Sequence, residues 1–211
     1  VLILHFEEEL SLPEVAAILD IPLGTAKSRL GYGLRLVRNA AELHAQVTAG
    51  PEMPVGAPSP EWIVEAFCSG TAASVAVLAG PGGCTALQPC EQRLSSDGRF
   101  AYLGGATMPR GLLSDRAQSL ALRAVRSLPK TLGYLGVDLV LGARDDGGDD
   151  VVIEINPRLT TSYVGLRRAT ADNLAAALLA AVQGREVVAR FGDVPIEFDA
   201  EGSWWPKALP S

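Results

Sequence analysis

Upstream of residue 48, apolar positions recur at helical spacing: Val1, Leu2 and Leu4 with Phe6, then Val15, Ile18 and Leu19, then Leu30, Leu34 and Val37. Ser11 stands three residues before Glu14 with Pro13 between them, an arrangement that caps and opens a helix. Residues 21–24 (Ile-Pro-Leu-Gly) break the pattern and Thr25 can open a third helix, so residues 1–47 read as helix, short helix, tight turn, helix. From residue 61 the period changes. Residues 62–67, 74–78, 100–103, 137–141 and 151–155 read as strands, with helical stretches at about 114–128 and 171–182. A late strand near 187–191 is expected to close this module at about residue 199, leaving 200–211 as an irregular tail. Several strands are joined by connections too short for a crossover, so the fold class is α+β with mostly antiparallel pairing.

Between the two patterns, residues 48–60 (TAGPEMPVGAPSP) carry Pro51, Pro54, Pro58 and Pro60 with Gly50 and Gly56, which sustain neither helix nor inner strand and read as a linker. Hydrophobic residues make up 48% of the 211, enough for a packed core. The net charge of −6 excludes a surface that is basic throughout, though not a local basic element. Three cysteines, Cys68, Cys84 and Cys90, lack a C-x-x-C spacing and argue for a reducing, cytoplasmic setting rather than a disulfide framework or zinc site. The longest apolar stretch, residues 174–182, falls well short of the roughly 20 residues of a membrane span. Val1 in place of Met raises the expectation of a fragment.

The third upstream helix carries Lys27, Arg29, Arg35 and Arg38 and no acid, while Glu7, Glu8, Glu9, Glu14 and Asp20 precede it. Such a helix can meet phosphates and base edges. Leu10-Ser11, Glu14-Val15-Ala16, Ile21-Pro22 and residues 24–30 (GTAKSRL) resemble the promoter-reading, helix-turn-helix C-terminal region of extracytoplasmic-function-type sigma factors. The resemblance implies promoter DNA as a partner of residues 24–38, met by Lys27, Ser28, Arg29 and Arg35. Gly31 and Gly33 depart from it, and each interior glycine costs a helix about 0.5–1 kcal/mol. The alternative is a small three-helix cap that binds no DNA.

Downstream, two apolar runs flank Gly147-Gly148 and read as a β-hairpin, which sets Asp138 opposite the 154–156 end of its partner strand. Glu154 and Asn156 then share one face, with Ile153 and Ile155 on the other. Two carboxylates and an amide oxygen gathered there suit Mg²⁺, and Arg158 can fork onto a phosphate. The bland alternative has Asp138 capping, Glu154 paired with an arginine, and Asn156-Pro157 as turn chemistry. Asp145, Asp146, Asp149 and Asp150 read as a solvated turn, and Arg116, Arg123 and Arg126 as a solvated helix face.

The string from Asp138 to residues 153–158 (IEINPR) resembles the ATP-grasp superfamily, and residues 159–166 (LTTSYVGL) its tyramine–glutamate ligase branch. The resemblance covers about residues 60–192 and implies an ATP-grasp antiparallel sheet with packed helices. It further implies ATP and two Mg²⁺ ions as cofactors, with Mn²⁺ as a substitute. Asp138, Glu154 and Asn156 would be the metal ligands and Arg158 a catalytic phosphate contact. Residues 63–70 (IVEAFCSG) are similar to the family's adenine hinge, so Glu65, Ala66 and Phe67 would line the base. The implied chemistry joins a small-molecule carboxylate to an amine through an acyl phosphate, and needs no side-chain nucleophile. Lys27, Lys130 and Lys207 are the only lysines, and none lies just before the hinge where the superfamily contacts the α and β phosphates. An incomplete catalyst is therefore expected, with another chain as one source of the missing half. The rival reading is a sigma-like DNA-binding protein whose second module senses a ligand or is degenerate.

Overall fold

The computed structural model describes residues 66–97 and 100–207. The helix-turn-helix expected in residues 1–47, the linker 48–60 and most of the strand expected over 62–67 lie outside them; residues 66–69 are not strand. The described residues fall into two compact units: 68–94 with 102–207, and 66–67 with 95–97 and 100–101.

The larger unit is one antiparallel sheet with helices on both faces. Its elements are β1 (Thr71–Gly80), β2 (Gly83–Ala86), β3 (Cys90–Leu94), β4 (Tyr102–Thr107), α1 (Leu112–Arg126), β5 (Gly133–Leu141), β6 (Val151–Asn156), α2 (Ser162–Ala169), α3 (Leu174–Val182), β7 (Ile196–Asp199) and β8 (Trp204–Pro206). The strand order is β6-β5-β1-β3-β4-β7-β8, with β2 also paired to β1. β1 sits near the middle and is buried along nearly its whole length, which is why its sequence (TAASVAVLAG) is apolar without alternation. Its odd-numbered residues Ala73, Val75, Val77 and Ala79 join Ala117, Ala121 and Val125 of α1 in one core. Its even-numbered residues Ala76 and Leu78 join Tyr134, Leu166, Leu174, Ala177 and Phe198 in a second, beneath α2 and α3. Asn173 caps α3 by accepting from the backbone of Ala175 and Ala176.

The pattern placed the strands at 74–78, 137–141 and 151–155 and the first long helix within a few residues of their observed bounds. Three expectations fail here. Residues 187–191 form no strand, only an isolated bridge between Thr170 and Phe191; the closing strand is β7 instead. The tail is not irregular throughout, since β8 pairs with β7 and Trp205 Nε1 donates to Glu197. Helix α2, which begins within LTTSYVGL and runs on to Ala169, is absent from the pattern's expectations.

A fourth correction concerns charge. Arg116 is not solvated: it pairs with Asp150, whose side chain is 4% exposed, and its Nη2 donates to Gly142 O at 2.9 Å. Asp150 Oδ1 also accepts from Gly142 N at 2.9 Å, so one acid of the expected solvated turn ties both ends of the β5–β6 hairpin to α1. The Arg116 guanidinium holds the Asp150 carboxyl below the usual range. Asp146 does remain at the surface, paired with Arg144.

Candidate functional site

The register of β5 and β6 sets Asp138 directly across from Glu154 and Gly136 across from Asn156. Directly paired residues of an antiparallel ladder project from the same face. A bulge between Asp138 and Leu139 leaves Ile153 without a partner, so Ile155 packs against the α1 core while Ile153 stays exposed. On its other side β5 pairs with β1, and there Asp138 faces Ser74. A row Glu154–Asp138–Ser74 therefore crosses three strands on the sheet face that otherwise buries the α2 and α3 core. Asp138 lies mid-strand and caps nothing.

Two amides hold the Asp138 carboxylate: Gln92 Nε2 donates to Oδ1 at 3.0 Å and Asn156 Nδ2 donates to Oδ2 at 3.3 Å. Asn156 is buried, whereas Glu154 and Arg158 are exposed. Arg158 leaves the strand through a tight turn in which its backbone N–H donates to Asn156 O at 2.8 Å. Ser74 Oγ is buried and makes no hydrogen bond of normal geometry, yet it lies close enough to Asp138 to favour the ionised form.

Burial pushes the Asp138 carboxyl above the usual carboxylate range; Ser74 opposes the shift, the Glu154 charge adds to it, and Gln92 and Arg158 oppose it again. A raised native value means the folded chain binds this proton more tightly than the unfolded chain does. Through this group the metal-free protein should therefore lose stability as pH rises from the usual carboxylate range through the raised value. Asp146, Asp150 and Asp172, whose carboxyls are held low, contribute with the opposite sign, losing stability as pH falls. Urea melts of the parent and Asp138→Asn across acidic pH isolate the first component: the difference between the two should grow as pH rises.

The donor set fits a hard divalent cation. Two like charges face each other across a strand pair, one of them partly desolvated, which is unfavourable until a cation joins them. Among the described residues no three His, Cys, Asp or Glu side chains converge. One or two carboxylates plus neutral oxygens is what Mg²⁺ takes when phosphates and water complete its shell.

Next to Asn156, the loop before α2 closes onto β5. Thr160 Oγ1 lies 2.7 Å from Ser162 Oγ and 3.3 Å from the Tyr134 hydroxyl. A Cβ at Gly136 would come within 2.3 Å of Thr160 Cγ2, so glycine is what lets the loop sit down on the strand. Gly136→Ala should lift Thr160 from the strand and cost about 1–3 kcal/mol in a urea melt. Arg110 directs its guanidinium to Phe191 O at 3.1 Å and to Asp193.

The smaller unit holds Ala66 and Phe67. The Phe67 ring is largely exposed and stacks on Phe100, with centroids 5.9 Å apart and planes 18° from parallel. Glu65, Lys27, Ser28, Arg29 and Arg35 lie outside the described residues. Sequence reasoning assigned neither Gln92 nor Ser74 to the carboxylate row. Its available signal was one hydroxyl in the apolar run of β1, facing inward by alternation.

An ATP-grasp domain model matches residues 26–162, more than half of the chain, and the chain belongs to that family. A Sigma-70, region 4 model matches residues 1–39. The chain is 27% identical over 127 residues to the tyramine–L-glutamate ligase of Methanocaldococcus fervens, covering 60% of this chain and 40% of that protein. The tyramine–L-glutamate ligase of Methanocaldococcus jannaschii is 28% identical over 106 residues, 50% of this chain and 32% of the other. A solved ATP-grasp superfamily protein from Archaeoglobus fulgidus superposes with a TM-score of 0.50 at 29% identity, over 63% of this chain and 40% of its own. The chain thus spans about two fifths or less of the length of these relatives. Among the described residues, no helix is long and apolar enough to cross a membrane.

Proposed function

We propose that this chain is the nucleotide- and divalent-cation-binding module of an ATP-dependent carboxylate–amine ligase. The observation that carries the reading is the register pair Asp138–Glu154 with Asn156 held against it on the same sheet face. Asp138, Glu154 and Asn156 would hold Mg²⁺, and Arg158, exposed just past the strand, would fork onto a phosphate oxygen. When bound, the cation supplies positive charge against the phosphates as the bond to the transferred phosphoryl group breaks. Family membership and the two ligase relatives support ATP and a carboxylate as co-substrates. In the ligation, a carboxylate oxygen bonds to the γ-phosphorus as ADP leaves; the amine nitrogen then bonds to the acyl carbon as phosphate leaves. The chain's own residues orient the phosphates and the acceptor: Arg158 by charge, and Thr160 and Ser162 by hydroxyls already linked to each other and to Tyr134. By resemblance to the family hinge, Glu65, Ala66 and Phe67 would line the nucleotide base.

Calorimetric titration with a non-hydrolysable ATP analogue tests the reading. Uptake that requires Mg²⁺ supports it, and uptake indifferent to Mg²⁺ contradicts it. A second reading rests on the Sigma-70, region 4 match: promoter DNA bound through Lys27, Ser28, Arg29 and Arg35. Binding to promoter-like duplex that weakens steeply with salt is its expected mark, because phosphate contacts release counterions.

A further inference from the structure

Gln92 belongs to β3, and β3 is not a neighbour of β5; β1 runs between them. Adjacent strands lie about 4.8 Å apart, so the backbones of β3 and β5 are separated by roughly 10 Å, a gap that the Gln92 and Asp138 side chains span together above β1. The Gln92 amide donates to Asp138 Oδ1 at 3.0 Å. Two small residues of the same face lie along this path on β1: Ala72, which pairs with Val140, and Ser74, which pairs with Asp138 on one side and with Cys90 on the other, two positions from Gln92 along β3. Positions two apart on a strand share a face, so Cys90 and Gln92 both look toward Ser74 and Asp138. The small Ser74 side chain, buried beside Asp138, leaves that path open.

Packing does not explain this arrangement. The same face is filled by Ala76, Leu78, Leu87, Cys90 and Tyr134, and an apolar residue at 138 would need neither amide. The crossing side chain makes sense only in relation to the carboxylate that it holds. Asn156 grips Oδ2 from the β6 side and Gln92 grips Oδ1 from the β3 side, so the carboxylate is held from both directions.

We propose that Gln92 is a positioning residue that fixes the Asp138 carboxylate for a divalent cation shared with Glu154, with Ser74 kept small so that the amide can pass. The proposal rests on the reading of Asp138, Glu154 and Asn156 as cation ligands. It enlarges the site from two strands to four and gives Ser74 a reason to be small. Partners that orient a ligating group typically change metal affinity by about 10- to 100-fold when removed. Mg²⁺ demands near-ideal octahedral geometry at short distance, whereas Ca²⁺ takes more ligands in flexible arrangements; Mn²⁺, smaller than Ca²⁺, stands nearer Mg²⁺ in the distances it requires. Loosening Asp138 should therefore be felt mainly by the smaller ions.

The test is a Mn²⁺ titration of the full chain followed by electron paramagnetic resonance, with Ca²⁺ affinity read by competition, in the parent, Gln92→Leu, Ser74→Val, Ser74→Ala and Glu154→Ala. Gln92→Leu should weaken Mn²⁺ by about 10- to 100-fold and Ca²⁺ by less than about threefold. Ser74→Val, which obstructs the amide's path but also removes the hydroxyl beside Asp138, should shift the two ions in the same pattern as Gln92→Leu, whereas Ser74→Ala, which removes the hydroxyl alone, should keep the parent's ratio of Mn²⁺ to Ca²⁺ affinity; this pair decides the matter should Gln92→Leu fail to fold. Parent-like Mn²⁺ affinity in Gln92→Leu and Ser74→Val overturns the proposal, as does equal weakening of both ions in them, the mark of a general structural role. If the parent and Glu154→Ala bind Mn²⁺ alike, the acid pair itself is not the site, and both readings fall together.

Discussion

Replacing Asp138 by Asn is expected to do two opposite things: make the metal-free chain more stable, and weaken Mg²⁺-linked nucleotide binding by at least about 100-fold, or roughly 2.8 kcal/mol. The stabilisation follows from the register. Asp138 and Glu154 are directly opposed like charges, and such pairs destabilise a sheet by about 0.2–1 kcal/mol. Burial adds to the cost of the Asp138 charge. Asn is nearly isosteric and can still accept from Gln92 or Asn156. The loss of binding follows from the same charges, because a divalent cation held by hard oxygens depends on how many of them are anionic. Glu154→Ala should match the binding loss with a smaller stability gain, since Glu154 is already exposed. Thermal melts without metal and calorimetry with Mg²⁺ and an ATP analogue read the two halves separately. A variant that loses stability and binding together would mean that Asp138 serves the fold rather than the site.

Phe198→Ala should be the most damaging single core change, at about 3–5 kcal/mol. Phe198 is fully buried in β7, and its ring fills space made by two glycines. A Cβ on Gly165 of α2 would lie 2.4 Å from ring atom Cδ1, and one on Gly105 of β4 would lie 3.0 Å from Cζ. The ring thus joins the helix after the candidate site to a strand three places from β5 in the sheet. Truncation leaves a cavity lined by backbone that cannot collapse easily. The converse change, Gly165→Ala, should also destabilise, because the ring has nowhere to go. Urea denaturation midpoints check both variants, and a Phe198→Ala cost below about 1 kcal/mol would contradict this packing.

The same strand shows where sequence reasoning stopped. The central strands β1 and β5 and the edge strand β6 were legible because their apolar runs are bounded by glycine or aspartate turns. β7 is four residues (IEFD) with one fully buried aromatic, too short for its alternation to stand out, whereas residues 187–191 offer more apolar surface and attracted the assignment. Helix α2 contains Gly165, an unfavourable helix residue that is there because Phe198 lies against it. The opposition of Asp138 and Glu154 was readable from the hairpin turn and the two-residue alternation. The contribution of Gln92 was not, because it depends on β3 and β5 lying on either side of β1, a matter of strand order that local pattern does not encode. Arg116 was misjudged for a similar reason: helical spacing gives its direction, but only the tertiary fold brings Asp150 to meet it.

The central claim is that side-chain oxygens of Asp138, Glu154 and Asn156 converge on one divalent cation. Anomalous diffraction from crystals grown with Mn²⁺ and an ATP analogue tests it most directly. The account predicts a manganese peak bonded to oxygens of all three residues. A peak at the aspartate turn of residues 145–150, or none near Asp138 while nucleotide is bound, would contradict it.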